Sequence, residues 1–259
     1  MRPEQRQQQI LTQLHALQSE LGVEELSERF EVSALTIRRD LDQLEKDKAI
    51  LRTHGGCVLK TTVGASYQQR VALNFELKDA IGRAAANEVK SNDVILLDYG
   101  STPFHLAFHL GLVGKLLVYT NSISVVPVLS RFPSVRLFLL GGEYYPDIQF
   151  IGGSMMEQTL EGLQFDTVFV GTDAIDAKGN CLVSNPDIGR LTEVMLRRGK
   201  RRVLLADHTK LNANGHCVYA RLSDFEIWYT TAGITSSQLR RFSQQTTVNI
   251  AEVLRPTEN

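Results

Sequence analysis

The sequence predicts a small N-terminal unit of three helices and a β-hairpin, followed by a larger α/β unit with a parallel sheet. Two observations support this fold class. In the first part of the chain, apolar residues recur every three or four positions, which is typical of amphipathic helices. After residue 76, short apolar runs alternate with helical stretches, which is typical of buried parallel strands and their crossover helices.

The composition of the chain limits the classes of protein to which it can belong. With 259 residues it is long enough for two domains, and its formal net charge is −1. It has no apolar run long enough for a membrane helix, and its first residues are polar, so neither a membrane span nor a signal peptide is expected. Cys57, Cys181 and Cys217 are isolated, which argues against zinc fingers and disulfide frameworks. We expect a cytoplasmic protein without metal or cofactor.

Three helices are predicted in the N-terminal unit. The first runs from Pro3 to about Ser19, and Gly22 ends it. The second covers residues 23–30. The third runs from residue 34 to about residue 46, with Ser33 as its N-cap. Its inward face is expected to carry Leu35, Ile37, Leu41 and Leu44.

A β-hairpin is predicted after these helices, because residues 50–59 alternate around two adjacent glycines. Two short helices, a tight turn and a hairpin make a winged helix-turn-helix, an arrangement that binds DNA. The net charge does not oppose this, because basic residues accumulate locally from Arg38 onward. The predicted domains are a winged helix-turn-helix at 3–58, a linker at 59–75 and an α/β domain at 76–254.

The third helix is expected to enter the major groove of DNA. Arg38 and Arg39 are adjacent, so they point about 100° apart and cannot both contact one base. We expect Arg38 to reach a base or phosphate and Arg39 to contact the backbone. Asp40 is expected to orient an arginine or to cap structure. The remaining candidate DNA contacts lie at the helix start and in the wing: Ser33, Thr36, Arg52 and His54.

Small or polar residues follow five of the predicted strands in the larger domain. The carboxyl ends of parallel strands meet at one edge of a sheet, where ligands of such folds bind. Turns alone would also explain any single cluster, but five clusters at one edge favour a ligand site. The candidate effector residues are Asp98, Gly100, Ser101, Thr102, Thr120, Asn121, Gly141, Gly142, Gly171, Asp173 and Lys210.

The chemistry of these residues suits a phosphorylated sugar. Residues 100–102 precede a predicted helix, so backbone N–H groups and the positive end of the helix dipole are available to an anion. Lys210 would add a positive charge. Asp98, Asn121 and Asp173 would hydrogen-bond sugar hydroxyls.

Both halves of the chain resemble the DeoR family of bacterial transcription regulators. The resemblance rests on residues 24–41 and 52–56 in the first domain and on motifs such as 98–102 and 206–210 in the second. The DNA-binding motif is highly specific, whereas each effector-domain motif is weak alone. The resemblance implies a repressor of carbohydrate-metabolism genes that a phosphorylated sugar releases from its double-stranded DNA operator. It also implies a C-terminal domain similar in fold to ribose-5-phosphate isomerase, and a homo-oligomer, dimer or tetramer.

Two alternatives remain open at this point. The larger domain could be an isomerase-like enzyme acting on a sugar phosphate, with Asp98 or Asp173 as general base. No suitably spaced catalytic pair stands out, and an attached helix-turn-helix is better explained if it responds to the bound state of that domain. The regulator could also be an activator rather than a repressor.

Overall fold

The computed structural model of the protein describes residues 2–17, 21–47, 49–52, 55–59 and 67–254. Contacts within the chain divide it into two compact units, Met1–Ala65 and Ser66–Asn259. Each unit has its own hydrophobic core. No helix in the described ranges is long and apolar enough to cross a membrane.

The first unit contains three helices, α1 (Pro3–Leu17), α2 (Val23–Phe30) and α3 (Ala34–Lys46). Ser33 caps α3 as predicted, because its hydroxyl accepts a hydrogen bond from the backbone N–H of Thr36 at 3.2 Å. The three helices share one core, to which they contribute Ile10, Leu14, Val23, Leu26, Ile37, Leu41 and Leu44. Residues 18 and 19, predicted as the end of α1, lie outside the described residues.

Three short strands complete this unit: β1 (Leu21–Gly22), β2 (Ile50–Arg52) and β3 (Gly56–Leu59). They pair antiparallel with β3 in the centre. The predicted hairpin of β2 and β3 therefore gains a third strand, β1. This strand contains Gly22, which was expected only to end the first helix. Position 56 must be glycine for β1 and β3 to pair this closely. Any side chain there would clash, because its β-carbon would lie 2.0 Å from the carbonyl oxygen of Leu21.

Helices of the described part of the second unit are α4 (Tyr67–Ala72), α5 (Phe75–Ala86), α6 (Ser101–Leu110), α7 (Val126–Leu129), α8 (Ser154–Glu161), α9 (Pro186–Leu196) and α10 (Ser236–Phe242). Helix α4 falls inside the segment 59–75, which the sequence predicted to be a linker. It packs against α6, because the ring of Tyr67 is buried edge-on to Phe104, with 6.3 Å between centroids. A single anchoring tyrosine in a polar stretch was too weak a sequence signal to reveal this helix.

Seven parallel strands form the main sheet: β4 (Val94–Leu97), β5 (Leu116–Thr120), β6 (Val135–Leu139), β9 (Phe165–Val170), β12 (Gly199–Leu205), β14 (Ile227–Thr231) and β15 (Thr247–Ala251). Their order is β15-β14-β12-β9-β4-β5-β6. The α/β class predicted from the sequence is confirmed. Strand β15 was not predicted, because it lies at an edge of the sheet and has few buried side chains to give an apolar run.

Two small antiparallel sheets accompany the main sheet, and neither was predicted. One contains β7 (Glu143–Tyr145) and β8 (Phe150–Gly152). The other contains β10 (Ala174–Ile175), β11 (Asn180–Val183) and β13 (Cys217–Arg221). Strands of two to five residues carry too little periodicity to be distinguished from loops.

Helices cover both faces of the main sheet, which explains why its central strands are continuously apolar. One face packs on α5 and α6 through a cluster that includes Ile81, Ile95 and Leu106. The opposite face packs on α8 and α9 through a second cluster. The carboxyl ends of the central strands, β4, β9 and β12, therefore lie between two helical layers.

Candidate functional site

The solvent-facing side of α3 carries the candidate DNA contacts. Arg38 and Arg39 are both exposed, and neither guanidinium is paired with a carboxylate of another described residue. Leu35, which was predicted to face inward, is 58% exposed. That prediction is wrong, because Leu35 lies about 200° around the helix from the buried Ile37.

Ser33 and Thr36 hold the start of α3. Their hydroxyl groups are hydrogen-bonded to each other at 2.9 Å, in addition to the capping bond. Both side chains are therefore used in the cap, and their predicted contacts to DNA phosphates stay predictions.

Asp40 is buried on the opposite side of α3 and joins it to α1. Its carboxylate accepts hydrogen bonds from Nε of Arg6 at 2.5 Å and from Nε2 of Gln7 at 3.2 Å. The acidic residue thus orients an arginine, as predicted, but that arginine belongs to α1 and not to the exposed pair. Asp40 sets the position of α3 on the core of the unit.

Arg52 links the wing to α3. Its guanidinium donates hydrogen bonds to Oδ1 of Asp42 at 2.7 Å and to the carbonyl oxygen of Arg38 at 3.3 Å. Sequence reasoning assigned Arg52 to DNA and missed this positioning role. The other predicted wing residue, His54, lies outside the described residues.

The strand-end residues of β4 and β5 come together in the second unit. Nδ2 of Asn121 donates to Oδ1 of Asp98 at 2.9 Å, and both side chains are buried. The same carboxyl oxygen accepts the backbone N–H of Tyr99 at 2.8 Å. Burial raises the pKa of Asp98 to about 7, although these two hydrogen bonds lower it.

The start of α6 lies beside this pair. The chain enters the helix at Gly100, whose φ of 132° is readily adopted by glycine but rarely by residues with a side chain. Ser101 is half-buried and Thr102 is buried, both in the first turn, where backbone N–H groups have no acceptor within the helix. The hydroxyl of Tyr67 donates to the carbonyl of Gly100 at 3.4 Å and is bonded to the hydroxyl of Ser124 at 2.6 Å.

Three basic side chains lie close enough to interact electrostatically, and sequence reasoning identified only Lys210. The others are Arg70 in α4 and Lys78 in α5. Lys78 is 3% exposed, and its ammonium donates to the carbonyl oxygens of Leu73, at 2.6 Å, and of Arg70. Burial lowers the pKa of Lys78 to about 7, and the charges of Lys210 and Arg70 also lower it, against the attraction of Asp207.

A signal for Lys78 was present in the sequence. Lys78, Ile81 and Ala85 are spaced as on one face of a helix, and all three are buried. A lysine on the apolar face of an amphipathic helix is unusual and points to a specific role. Arg70 gave no such signal, because it lies in the segment predicted as a linker.

Several buried polar atoms of this region have no hydrogen-bond partner within the described part of the chain. They are Nε and Nη2 of Arg70, Oδ1 of Asn121 and Oδ2 of Asp207. Buried polar groups in native proteins are almost always paired. A ligand with an anionic group and hydroxyl groups would supply the missing partners.

Other predicted site residues hold loops together around this region. Oγ1 of Thr120 accepts the backbone N–H of Ser122 at 3.1 Å. Gly171 accepts the hydroxyl of Tyr219 at 2.7 Å. Asp173 accepts both the backbone N–H and the hydroxyl of Ser184, each at 2.9 Å. Their side-chain and backbone acceptors are thus engaged by the protein.

Gly141 and Gly142 follow β6, which is one of the two edge strands of the main sheet and lies two strands away from β4. That separation is about 10 Å. A β-carbon at Gly142 would lie 2.2 Å from the carbonyl of Gly152, so glycine is needed there for the approach of β8. The structure thus gives Gly142 a packing role, whereas a β-carbon at Gly141 would meet no neighbouring atom within 4 Å.

Family comparisons agree with this two-part architecture. Residues 6–63 match the DeoR-like helix-turn-helix domain. Residues 73–232 match the DeoR C terminal sensor domain. The candidate DNA contacts fall in the first match, and all of the candidate effector residues fall in the second.

Curated relatives match across most of the chain. The HTH-type transcriptional repressor GlcR of Bacillus subtilis is 33% identical, over 81% of both chains. The lactose phosphotransferase system repressor of Lactococcus lactis is 30% identical, over 96% of this chain and 98% of the relative. The glycerol-3-phosphate regulon repressor of Escherichia coli is 31% identical, over 83% and 86%.

Among solved structures, ribose 5-phosphate isomerase A from Neisseria gonorrhoeae aligns with 52% of each chain, with 17% identity and a TM-score of 0.38. That likeness is too distant to support an enzymatic activity, whereas the curated relatives above are all named as repressors. With both of its domains matched, the chain belongs to the DeoR family and is a DNA-binding transcription regulator rather than an enzyme.

Proposed function

We propose that this protein is a repressor of carbohydrate-metabolism genes that leaves its operator when a phosphorylated sugar binds the second unit. The observation that carries the proposal is the group of three cations, Arg70, Lys78 and Lys210, next to buried polar atoms without partners. The names of the three relatives, each a repressor, support the direction of the effect.

The DNA-binding half of the proposal rests on the exposed face of α3. Arg38 and Arg39 are exposed, and a helix of this motif places its first residues against base edges in the major groove. Arg52 and Asp40 act as positioning residues, one holding the wing on α3 and the other holding α3 on α1. Ser33 and Thr36 contact phosphate from the capped helix start.

The effector half rests on charge and on hydrogen-bonding capacity. A phosphate group carries nearly two negative charges near neutral pH, which matches the group of three cations. Asp98, Asn121 and Asp207 are buried side chains that accept or donate hydrogen bonds, as sugar hydroxyls require. The phosphate therefore faces Arg70, Lys78 and Lys210, and the sugar faces the carboxyl ends of β4, β5 and β12.

We infer that the protein acts as a homo-oligomer. One winged helix-turn-helix module gives a small interface with DNA, and regulators of this size use two modules on repeated half-sites. The two modules would come from two copies of this chain.

A thermal-shift screen tests the effector. The full-length protein is heated with pentose and hexose phosphates and, as matched controls, with the same sugars without phosphate. We expect stabilisation by one or more of the phosphates only, because a ligand that binds the folded state raises its apparent stability. Equal stabilisation by a free sugar would contradict the assignment of the three cations to phosphate.

Lys210→Ala connects this ligand to DNA release. We expect the variant to bind its own upstream DNA normally and to need about 10- to 100-fold more of the stabilising phosphate for release, since a charged hydrogen bond is lost. Lys200→Ala is the matched control, because Lys200 is exposed and its ammonium pairs with the carboxylate of Asp166. Release of the Lys210 variant at the wild-type concentration would remove Lys210 from the site.

A further inference from the structure

Leu35 occupies the centre of the exposed face of α3. The buried residues of this helix, Ile37, Asp40, Leu41 and Leu44, define the side that faces the core. Their mean direction lies about 170° from Leu35 around the helix. Leu35 is 58% exposed and does not belong to the apolar cluster of the first unit. Packing in the core of the first unit therefore does not explain an apolar residue at this position.

Positive charge flanks this leucine on both sides. Arg39 lies about 40° away in one direction around the helix, and Arg38 lies about 60° away in the other. Both are exposed. A surface that is apolar at its centre and cationic at its sides is complementary to a major groove, whose edges are phosphates and whose floor is base pairs.

Only one base presents an apolar group on that floor. Thymine carries a C5 methyl group in the major groove, whereas the other base edges there present hydrogen-bond donors and acceptors. A leucine side chain can satisfy neither a donor nor an acceptor. Its favourable partner in the groove is consequently a thymine methyl.

We propose that Leu35 is a specificity-determining residue that selects a thymine in the operator by contact with its methyl group. This inference rests on the proposed DNA contact of α3. Arg38 and Arg39 anchor the helix on the DNA. Leu35, which lies between them, distinguishes a T·A pair from the other base pairs. Burial of the leucine against the methyl group removes both apolar surfaces from water.

The test uses a duplex selected from random-sequence DNA by the full-length wild-type protein. Each thymine of this duplex is replaced in turn by deoxyuridine, which removes only the methyl group. For the wild-type protein we expect one replacement per half-site to weaken binding about fourfold, which corresponds to the hydrophobic free energy of burying one methyl group. For Leu35→Ala we expect the same replacement to have no effect, while the wild-type penalty at any other thymine is retained.

Leu112→Ala is the matched control, because Leu112 is 76% exposed and lies in the second unit. We expect it to keep the full wild-type penalty. Circular dichroism checks that Leu35→Ala is folded, and Leu35→Met, which keeps an apolar side chain, is expected to retain the penalty. If every deoxyuridine penalty of the wild type persists in Leu35→Ala, or if the wild type shows none, the inference is overturned. If the wild type selects no sequence at all, the proposed function falls as well.

Discussion

The two candidate surfaces of this protein are built in different ways. The DNA-binding surface comes from one continuous stretch of chain, α3, held by Asp40 and Arg52. The effector site gathers side chains from α4, α5 and the ends of several strands, between residues 67 and 210. A local motif thus suffices for the first surface, whereas the second exists only when the whole sheet is formed.

Their electrostatics differ in the same way. The arginines of α3 are exposed and lie in water. Asp98 and Lys78 of the effector site are buried, and burial moves the pKa of Asp98 up to about 7 and the pKa of Lys78 down to about 7. We therefore expect contacts to DNA to depend on salt and contacts to the effector to depend on pH.

The largest expected effect is on the stability of the first unit alone. Asp40→Ala removes one partner of the buried pair with Arg6, and such a loss costs about 3–5 kcal/mol. We expect the first unit to unfold early in urea and DNA binding to be lost. Glu25→Ala is the matched control in the same unit, because its pair with Arg29 is exposed and contributes less than about 1 kcal/mol.

The single tryptophan makes this experiment specific for one unit. Trp228 is fully buried in the second unit, so its fluorescence follows that unit only, while far-ultraviolet circular dichroism follows helices in both. In Asp40→Ala we expect the dichroism to fall at low urea and the Trp228 transition to stay in place. A matching shift of the Trp228 transition would show that the two units do not unfold separately.

The next largest effect separates the two arginines of α3. Arg38→Ala is expected to weaken operator binding by about 1–3 kcal/mol and to relax sequence preference, as loss of a base contact does. Arg39→Ala is expected to weaken all DNA sequences similarly and to lower the slope of affinity against salt by about one. Binding titrations at several salt concentrations, with operator and unrelated DNA, measure the sequence preference and the salt dependence of each variant. If Arg39→Ala relaxes the sequence preference and Arg38→Ala lowers the salt slope, then Arg39 contacts the base and Arg38 the backbone.

The smallest expected effect is a pH dependence confined to the effector. Because Lys78 loses its proton above about pH 7 in the free protein, an anion that needs the ammonium binds more weakly as the pH rises from 7 to 9. The phosphate itself is already ionised in this range, since its second pKa is near 6. Calorimetry with the stabilising sugar phosphate at pH 7, 8 and 9 measures this change.

Lys78→Met is the variant that checks the source of the pH dependence. It keeps the length of the apolar stem and removes the titrating group. We expect weaker binding and a smaller change between pH 7 and 9, because of the two buried groups Asp98 and Lys78 only Asp98 still titrates near pH 7. A wild-type slope that persists in this variant would assign the pH dependence to another group.

The sequence predicted the parts of the fold that carry strong local signals. Ser33 was identified as a cap, and the central strands β4 and β9 were found from their apolar runs. The edge strand β15 was missed because exposure at an edge removes that apolar run. Leu35 was placed inward because it is apolar, yet its direction around the helix depends on which side of α3 meets the core.

For the effector site, the sequence identified residues and the tertiary structure decided which of them meet. Local chain chemistry was enough to place Asp98, Gly100 and Asn121 at strand ends, since turns and helix starts need particular residue types. The grouping of Arg70 and Lys78 with Lys210 depends on α4 and α5 folding back over the sheet. That arrangement comes from long-range packing, as between Tyr67 and Phe104, and no local pattern encodes it.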